Sequence, residues 1–215
     1  MMAATGYDRD YSAAVGLRSL LASATQGGVF QRRDYTRRQV YQDNYRELAA
    51  ALCDTLAFTS HLDVGCGQGL LLGPMLERGK DVAGVEGSPA AREFTPAALR
   101  DKIRTANITE LVAGPQYDLV SCIEVLEHIP EGFADAAVGF LTGSARRWVY
   151  FSAAIPRQPG VGHINCQPSL YWMLAFARHG WQLDLAKSGQ LHAKIRGMTP
   201  CWWLPQNALI FAPAP

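Results

Sequence analysis

From residue 61 onward, short apolar runs alternate with segments whose apolar residues recur every three or four positions. That alternation predicts strands and helices in turn, the pattern of a parallel sheet covered on both faces. His61 to Val64 reads as the first strand and Val82 to Glu86 as the second. A helix from about Leu70 to Arg78 lies between them and ends at Gly79, a residue that readily takes the left-handed cap conformation. Pro89 opens a short helix. Lys102 to Thr105 is a weakly marked third strand, Tyr117 to Ile123 a clear buried fourth, and Arg147 to Ser152 a fifth. Pro168 to Arg178 reads as a helix with proline at its start and Gly180 past its end. Leu183 to Ala186 and Ala208 to Ala212 are expected to be strands six and seven.

Residues 7–58 carry no strong strand signal. Tyr11 to Ala24 is rich in Ala and Leu and predicts a helix, broken at Gln26-Gly27-Gly28. Tyr35 to Phe58 predicts a long helix, with Val40, Tyr45, Leu48, Leu52 and Leu56 mostly at helical spacings. Residues 1–58 therefore read as a helical cap on the domain formed by residues 59–215. Tyr7, Tyr11, Tyr35, Tyr41 and Tyr45 make the cap tyrosine-rich. They either pack on the sheet or cover a ligand, in which case Tyr7 and Tyr11 are the expected substrate contacts.

Composition narrows the class. A chain of 215 residues with 48% hydrophobic and only 18% charged residues suits one well-buried α/β domain. A net charge of +1 carries no basic excess for nucleic acid, whose binding rests largely on phosphate neutralisation. Arg32, Arg33, Arg37 and Arg38 cluster, but Asp34, Asp43 and Glu47 dilute them into a solvated helix face. The five cysteines are odd in number and form no C-x-x-C pair, which argues against disulfides and structural zinc. Met1 to Asp10 lacks a secretory apolar core, and no apolar run is long enough to cross a bilayer. A cytoplasmic protein, monomeric or homodimeric and without membrane or nucleic-acid partners, is the expectation.

The chemistry concentrates at Asp63-Val64-Gly65-Cys66-Gly67-Gln68-Gly69. Alternating glycines let a ligand lie against the backbone, because no Cβ holds it away. The spacing is not the G-x-G-x-x-G of dinucleotide sites. A pyrophosphate favours a bare helix N-terminus without a nearby acid. Here Asp63 sits two residues before the first glycine, which suits a cationic group. The second strand ends in Glu86, where a carboxylate reaches ribose hydroxyls in a βαβ unit. An ammonium, a ribose and a base without phosphate fit this pair of acids.

With that set of motifs the chain resembles the class I S-adenosylmethionine-dependent methyltransferases over roughly residues 45–212. The resemblance implies a Rossmann-like, mostly parallel seven-stranded sheet with an antiparallel last strand, and S-adenosylmethionine as cosubstrate. It also implies that Gly65, Cys66, Gly67 and Gly69 cradle the methionine part, with Asp63 near its amino group. Glu86 takes both ribose hydroxyls, followed by Gly87 and Ser88. Asn107 occupies the place of the polar residue that binds the adenine amino group, with Ile108 near the ring. Glu124 opens the segment Glu124-Val125-Leu126-Glu127-His128-Ile129-Pro130, which matches the tip of the family's fourth strand, bordering cofactor and acceptor.

A sulfonium methyl needs an aligned nucleophile and at most a base. The loop Gly160-Val161-Gly162-His163-Ile164-Asn165-Cys166-Gln167-Pro168 follows the fifth strand and precedes Tyr171-Trp172. It resembles a stretch of small-molecule and sugar-type methyltransferases. His163 is the first candidate base and His128 the second. Asn165, Tyr171 and Trp172 are candidate substrate contacts. The competing structural reading is that the loop's polar groups cap the helix and that His128 bonds the backbone. Trp202-Trp203 reads as core or hairpin packing in preference to a cation–π wall. The histidines show no convincing ligand spacing with acids, so no metal is expected.

Methyl transfer to a small-molecule acceptor is the expected function, in small-molecule biosynthesis. An alternative on the same fold is cyclisation, in which the α-amine of S-adenosylmethionine closes an azetidine-2-carboxylate and expels methylthioadenosine. A non-catalytic binding module is a third class, which the intact glycine bend and Glu86 count against. Nucleic-acid methylation is disfavoured by the near-neutral charge and the absence of an N-P-P-Y-type motif.

Overall fold

The computed structural model describes residue 30 and residues 32–215. The helix expected over Tyr11 to Ala24, its glycine break, Tyr7 and Tyr11 lie outside the described residues.

The long helix expected from Tyr35 divides in two. Helix α1 (Arg32–Arg38) passes through a 3₁₀ turn (Gln39–Tyr41) into α2 (Gln42–Thr55). The tighter turn rotates the apolar stripe, so Val40 is 69% exposed and not part of the face that carries Leu48 and Leu52. The α/β core then runs β1 (Ser60–Val64), α3 (Leu72–Glu77), β2 (Asp81–Glu86), β3 (Ile103–Thr105) and β4 (Tyr117–Ile123). It continues through α4 (Ala134–Ser144), β5 (Ala145–Ser152), α5 (Ser169–Arg178), β6 (Trp181–Leu183), α6 (Leu185–Ile195), α7 (Trp203–Asn207) and β7 (Leu209–Pro213).

The seven strands lie in the order β3-β2-β1-β4-β5-β7-β6. Pairs from β3 to β5 are parallel, and β7 runs antiparallel to both β5 and β6. The expected α/β sheet with an antiparallel last strand is therefore present. Its strand order reverses between β1 and β4, and ligands of open α/β sheets bind at the carboxyl ends of strands beside such a point.

Side chains alternate between two apolar layers. Leu119, Tyr150 and Ile210 meet Leu48, Leu52, Met75, Leu191 and Ile195 on one face. Val120, Val149, Phe151 and Phe211 meet Val138, Leu141 and Phe176 on the other. Phe176 and Phe211 stack with ring centroids 3.9 Å apart. Each fully buried side chain of this size contributes about 1.5–3 kcal/mol, so both sheet faces are firmly covered.

Further elements depart from the expected ones. The strand expected over Leu183 to Ala186 ends at Leu183, because Asp184 caps α6: its Oδ1 accepts from the Lys187 amide at 2.9 Å. Helix α4 occupies a stretch for which no helix was expected. Its apolar residues Ala137, Val138, Phe140 and Leu141 crowd into one block, which blurs the helical period. All five cysteines are free thiols. No helix among the described residues is long and apolar enough to cross a membrane.

Candidate active site

At the β1/β4 reversal the bend after β1 is fixed by backbone bonds from the Gly65 and Cys66 amides to the Val85 carbonyl, at 2.8 and 3.1 Å. Gly65, Gly67 and Gly69 all hold positive φ, at 74°, 55° and 87°. A Cβ on Gly65 would stand 2.3 Å from Val125 Cγ2, so only glycine lets β4's tip approach the bend. A Cβ on Gly67 would meet nothing closer than Arg38 at 3.5 Å, and that side opens into the cleft. Gly69 has a structural task in the bend. It closes the turn through its amide to the Cys66 carbonyl and leaves room for Leu99, 2.7 Å from where a Cβ would be. It does not line the cleft.

Glu86 is buried at the tip of β2 and already oriented by the backbone. The Gly67 amide donates to Oε2 and the Ser88 amide to Oε1, each at 2.7 Å. The Tyr35 hydroxyl lies 3.5 Å from Oε1. Asp63 is buried beside the bend, where Ser121 Oγ donates to its Oδ1 at 2.5 Å. His61 Nε2 stands 2.7 Å behind that hydroxyl. Burial pushes the Asp63 carboxyl up to about 7; the Ser121 bond opposes this and the charge of Glu86 adds to it. His61 goes the other way, down to about 3, because burial disfavours its cation.

One cavity of about 1470 Å³ joins this region to the loop after β5. It is lined by Asp63, Gly65, Cys66, Gly67, Glu86, Gly87, Ser88, Asn107, Ile108 and Glu124, and also by His128 and His163. Asn107 also accepts from the Thr109 amide at 3.1 Å, starting the 3₁₀ turn that presents Ile108. Glu124 has φ of +52°, uncommon for a residue with a side chain. Its carboxylate accepts from Gln158 Nε2 at 2.9 Å and Asn207 Nδ2 at 3.0 Å. Sequence reasoning did not single out Gln158 or Asn207, which come from the loop after β5 and the end of α7.

The loop after β5 is laced to the segment after β4. The Ile164 and Asn165 amides donate to the Glu127 carbonyl at 2.8 and 2.9 Å. His128 Nδ1 donates to the Gly162 carbonyl at 3.0 Å, and His163 Nδ1 to the Gln158 carbonyl at 3.1 Å. A carbonyl only accepts, so each Nδ1 carries the proton and each Nε2 keeps its lone pair. Both Nε2 atoms face Glu127, whose Oε1 lies 4.0 Å from His128 and 3.9 Å from His163. Burial lowers both imidazoles, His128 to about 3, and raises the Glu127 carboxyl, which the neighbouring Glu124 charge raises further. The expectation that no histidine meets an acid in ligand geometry is thus corrected: Glu127, His128 and His163 place ligand atoms within 4.8 Å of one another. The backbone bonds that join the two segments have no local sequence signature.

Three residues expected to contact substrate do not line the cleft. Trp172 is 1% exposed and packs against Phe151 in the second apolar layer. Tyr171 sits edge-on to Trp172 and does not line the cleft. Asn165 is buried and donates to the Leu126 carbonyl at 3.4 Å, stitching the loop. Helical spacing placed these residues near the site but did not say which side of α5 meets the sheet. The cleft's aromatic wall comes from elsewhere. Phe30, Tyr41, Phe133, Trp202 and Trp203 line it. Trp202 is 46% exposed, contrary to the core packing expected for it, while Trp203 meets Tyr41 edge-on at 5.3 Å. Arg38, expected on a solvated face, reaches the cleft with its guanidinium 4.3 Å over Phe30.

Comparison with known proteins gives the same fold and domain type. A family model described as a methyltransferase domain matches residues 33–139. Ubiquinone biosynthesis O-methyltransferase of Alkalilimnicola ehrlichii is 40% identical over 77 residues, covering 33% of this chain and 31% of that protein. The protein of the same name from Nitrosospira multiformis is 33% identical over 111 residues, covering 48% of this chain and 46% of the relative. The chain thus spans less than half the length of these curated relatives. Among solved structures, magnesium protoporphyrin IX methyltransferase from Synechocystis PCC 6803 with bound SAH superposes with a TM-score of 0.60. Its identity is 21%, over 96% of this chain and 98% of the other. CalS10, an amino pentose methyltransferase from Micromonospora echinaspora, gives a TM-score of 0.60 at 16% identity, over 86% of this chain and 98% of that one.

Proposed function

We propose, from the premise that this chain belongs to the class I S-adenosylmethionine-dependent methyltransferases, that it transfers a methyl group to a hydroxyl of a small, flat, largely apolar acceptor. The observation that carries this reading is that one cavity joins the glycine bend and Glu86 to the paired imidazoles of His128 and His163. The O-methyltransferase names of the relatives favour oxygen as the acceptor atom. The aromatic wall of Phe30, Tyr41, Trp202 and Trp203 favours a planar one.

The residues present fit the cosubstrate. The open side of Gly67 leaves space for the methionine part, and Asp63 stands where its ammonium would lie. Glu86, held by two amides, keeps lone pairs for the ribose hydroxyls. Gly87 and Ser88 follow the sugar, and Asn107 and Ile108 border the base. S-Adenosylmethionine supplies a methyl group already activated by its sulfonium, so the protein's work is alignment, exclusion of water and removal of the hydroxyl proton. Glu124, clamped by Gln158 and Asn207, fixes the wall between the two halves of the cleft. The neutral imidazoles of His128 and His163 border the acceptor side of the cleft, with their Nε2 lone pairs turned toward Glu127.

The deciding experiment incubates purified protein with S-adenosylmethionine alone and then with phenolic and sugar acceptors, with mass spectrometry of both thioether products. S-Adenosylhomocysteine formed only with an acceptor is the expected result. Methylthioadenosine formed without one would replace this reading by cyclisation. Absence of calorimetric binding would replace it by a chain that does not use the compound.

A pH prediction follows from Asp63. Its carboxyl titrates near 7 in the unliganded protein, and an ammonium beside it favours the ionised form. Binding therefore releases a proton below about pH 7, and affinity falls roughly tenfold per pH unit as pH drops through that range. The ligand's own α-amine loses its proton above about pH 8, which closes the window from the other side. Calorimetry in two buffers of different ionisation heat should record proton release at pH 6.5. Asp63→Asn should bind more weakly and lose the acid limb. An unchanged acid limb in that variant would remove Asp63 from the ammonium site.

A further inference from the structure

We propose that Glu127, His128 and His163 form a divalent transition-metal site at the acceptor end of the cleft. Four independent features point at one spot. Glu127 has a side chain 0% exposed, and neither carboxylate oxygen has a partner in full hydrogen-bond geometry, although the Ala154 backbone and the Glu124 carboxyl lie near it. The imidazole Nε2 atoms of His128 and His163 face Oε1 at 4.0 and 3.9 Å. Both rings are held from behind by Nδ1–H bonds to the Gly162 and Gln158 carbonyls, the outer contact that fixes the tautomer of a metal-ligating histidine. Gly160 makes room for the second ring: a Cβ there would stand 2.0 Å from His163 Nε2.

The alternatives leave these atoms worse off. A direct hydrogen bond between Oε1 and either Nε2 would need a proton and a much shorter distance than 3.9 Å. Glu124 lies close enough to add like charge to Glu127 or to share a proton with it, but its oxygens also accept from Gln158 and Asn207, and with both carboxyls ionised only a cation relieves their repulsion. A dication placed among the three ligand atoms satisfies all of them and offsets both carboxylates. The two Glu127–histidine separations are about 0.5 Å wider than those between tetrahedral ligand atoms roughly 2.1 Å from a metal, and all three ligand atoms lie within 4.8 Å of one another, so side-chain rotation must draw them together. Two imidazoles with one carboxylate suit zinc or manganese better than magnesium, which prefers oxygen alone. Three protein ligands leave a position open toward the cavity that the histidines line.

The role of this site rests on the proposed O-methyl transfer; its existence does not. An acceptor hydroxyl taking the open position would lose its proton to solvent. The oxygen would then form its bond to the methyl carbon as the carbon–sulfur bond breaks, leaving a neutral thioether.

The test uses the full chain stripped with EDTA and dialysed. Titration with Co²⁺ should produce a ligand-field absorption band that saturates at one equivalent, and Zn²⁺ should displace it. Glu127→Gln and His163→Ala should lose the band while binding S-adenosylmethionine within about twofold of the parent. Gly160→Ala, which alters no ligand but crowds the His163 ring, should weaken Co²⁺ binding at least tenfold. A parent protein that takes up no stoichiometric Co²⁺, or variants that bind it as the parent does, would overturn the proposal. Turnover that persists in excess EDTA would overturn the role. Metal binding by a protein that ignores S-adenosylmethionine would leave the site standing and remove the methyltransferase reading instead.

Discussion

Glu86→Gln is expected to lower affinity for S-adenosylmethionine by roughly 100- to 1000-fold. The reason is the number of donors that converge on this side chain. Two backbone amides already donate to its two oxygens at 2.7 Å. Both ribose hydroxyls would join them. A carboxylate accepts four such bonds; an amide accepts at one end only and turns an NH₂ toward one of the fixed donors. Each charge-assisted bond lost costs about 1.5–3 kcal/mol, and two at the lower end of that range, about 3–4 kcal/mol together, give the expected factor. The same change disturbs the bend itself, because the Gly67 amide is one of the donors. Calorimetry should therefore be paired with thermal unfolding. A loss of affinity with a melting temperature within a few degrees of the parent assigns the effect to the ligand. Tyr35→Phe is the control: its hydroxyl stands 3.5 Å from Oε1, and its removal should change affinity less than threefold. An affinity within threefold of the parent for Glu86→Gln would dismiss the carboxylate as the ribose anchor.

The contrast between the two ends of the cleft explains what the sequence disclosed. The end proposed to hold the nucleoside is built around one βαβ unit, so its residues are close along the chain. Asp63, the glycine bend and Glu86 could be read there because backbone conformation and strand ends leave local marks. Strand β4 was equally plain, a mostly apolar run rich in strand-forming residues whose bounds, Tyr117–Ile123, are those of the structure. The acceptor end is assembled from segments that no local pattern relates. Glu124 is clamped by Asn207 from α7, and Glu127 meets His163 only because two loop amides reach its carbonyl. Neither contact has a spacing rule. The same holds for Trp172: helical periodicity marks a stripe as apolar, and only the sheet decides that the stripe is core and not pocket. The three ligand atoms of the proposed metal site were missed for this reason, although His128 and His163 were each singled out.

Glu127→Met is expected to make the metal-free protein more stable and the enzyme inactive. The two effects have one cause. In the EDTA-treated protein a fully buried carboxyl group has no partner in full hydrogen-bond geometry and lies beside Glu124. A buried polar group left unsatisfied costs about 1–3 kcal/mol. Methionine fills similar volume, carries no charge and adapts its rotamer to the space. For a chain of this size each kcal/mol shifts the melting temperature by about 2–4 °C, so a rise of roughly 2–12 °C is expected. Turnover should fall at least 100-fold, since the variant loses a ligand of the proposed cation and the acid that both Nε2 atoms face. Zn²⁺ should raise the melting temperature of the parent and leave that of the variant unchanged, because a cation that binds only the folded state stabilises it by mass action. A burial that serves the fold gives the opposite pattern, with a lower melting temperature in Glu127→Met and turnover falling only in proportion to the unfolded fraction. That outcome would mean the carboxylate is a structural group whose partners form in solution. A stabilised but inactive variant is what a group kept at the expense of stability for its chemistry requires.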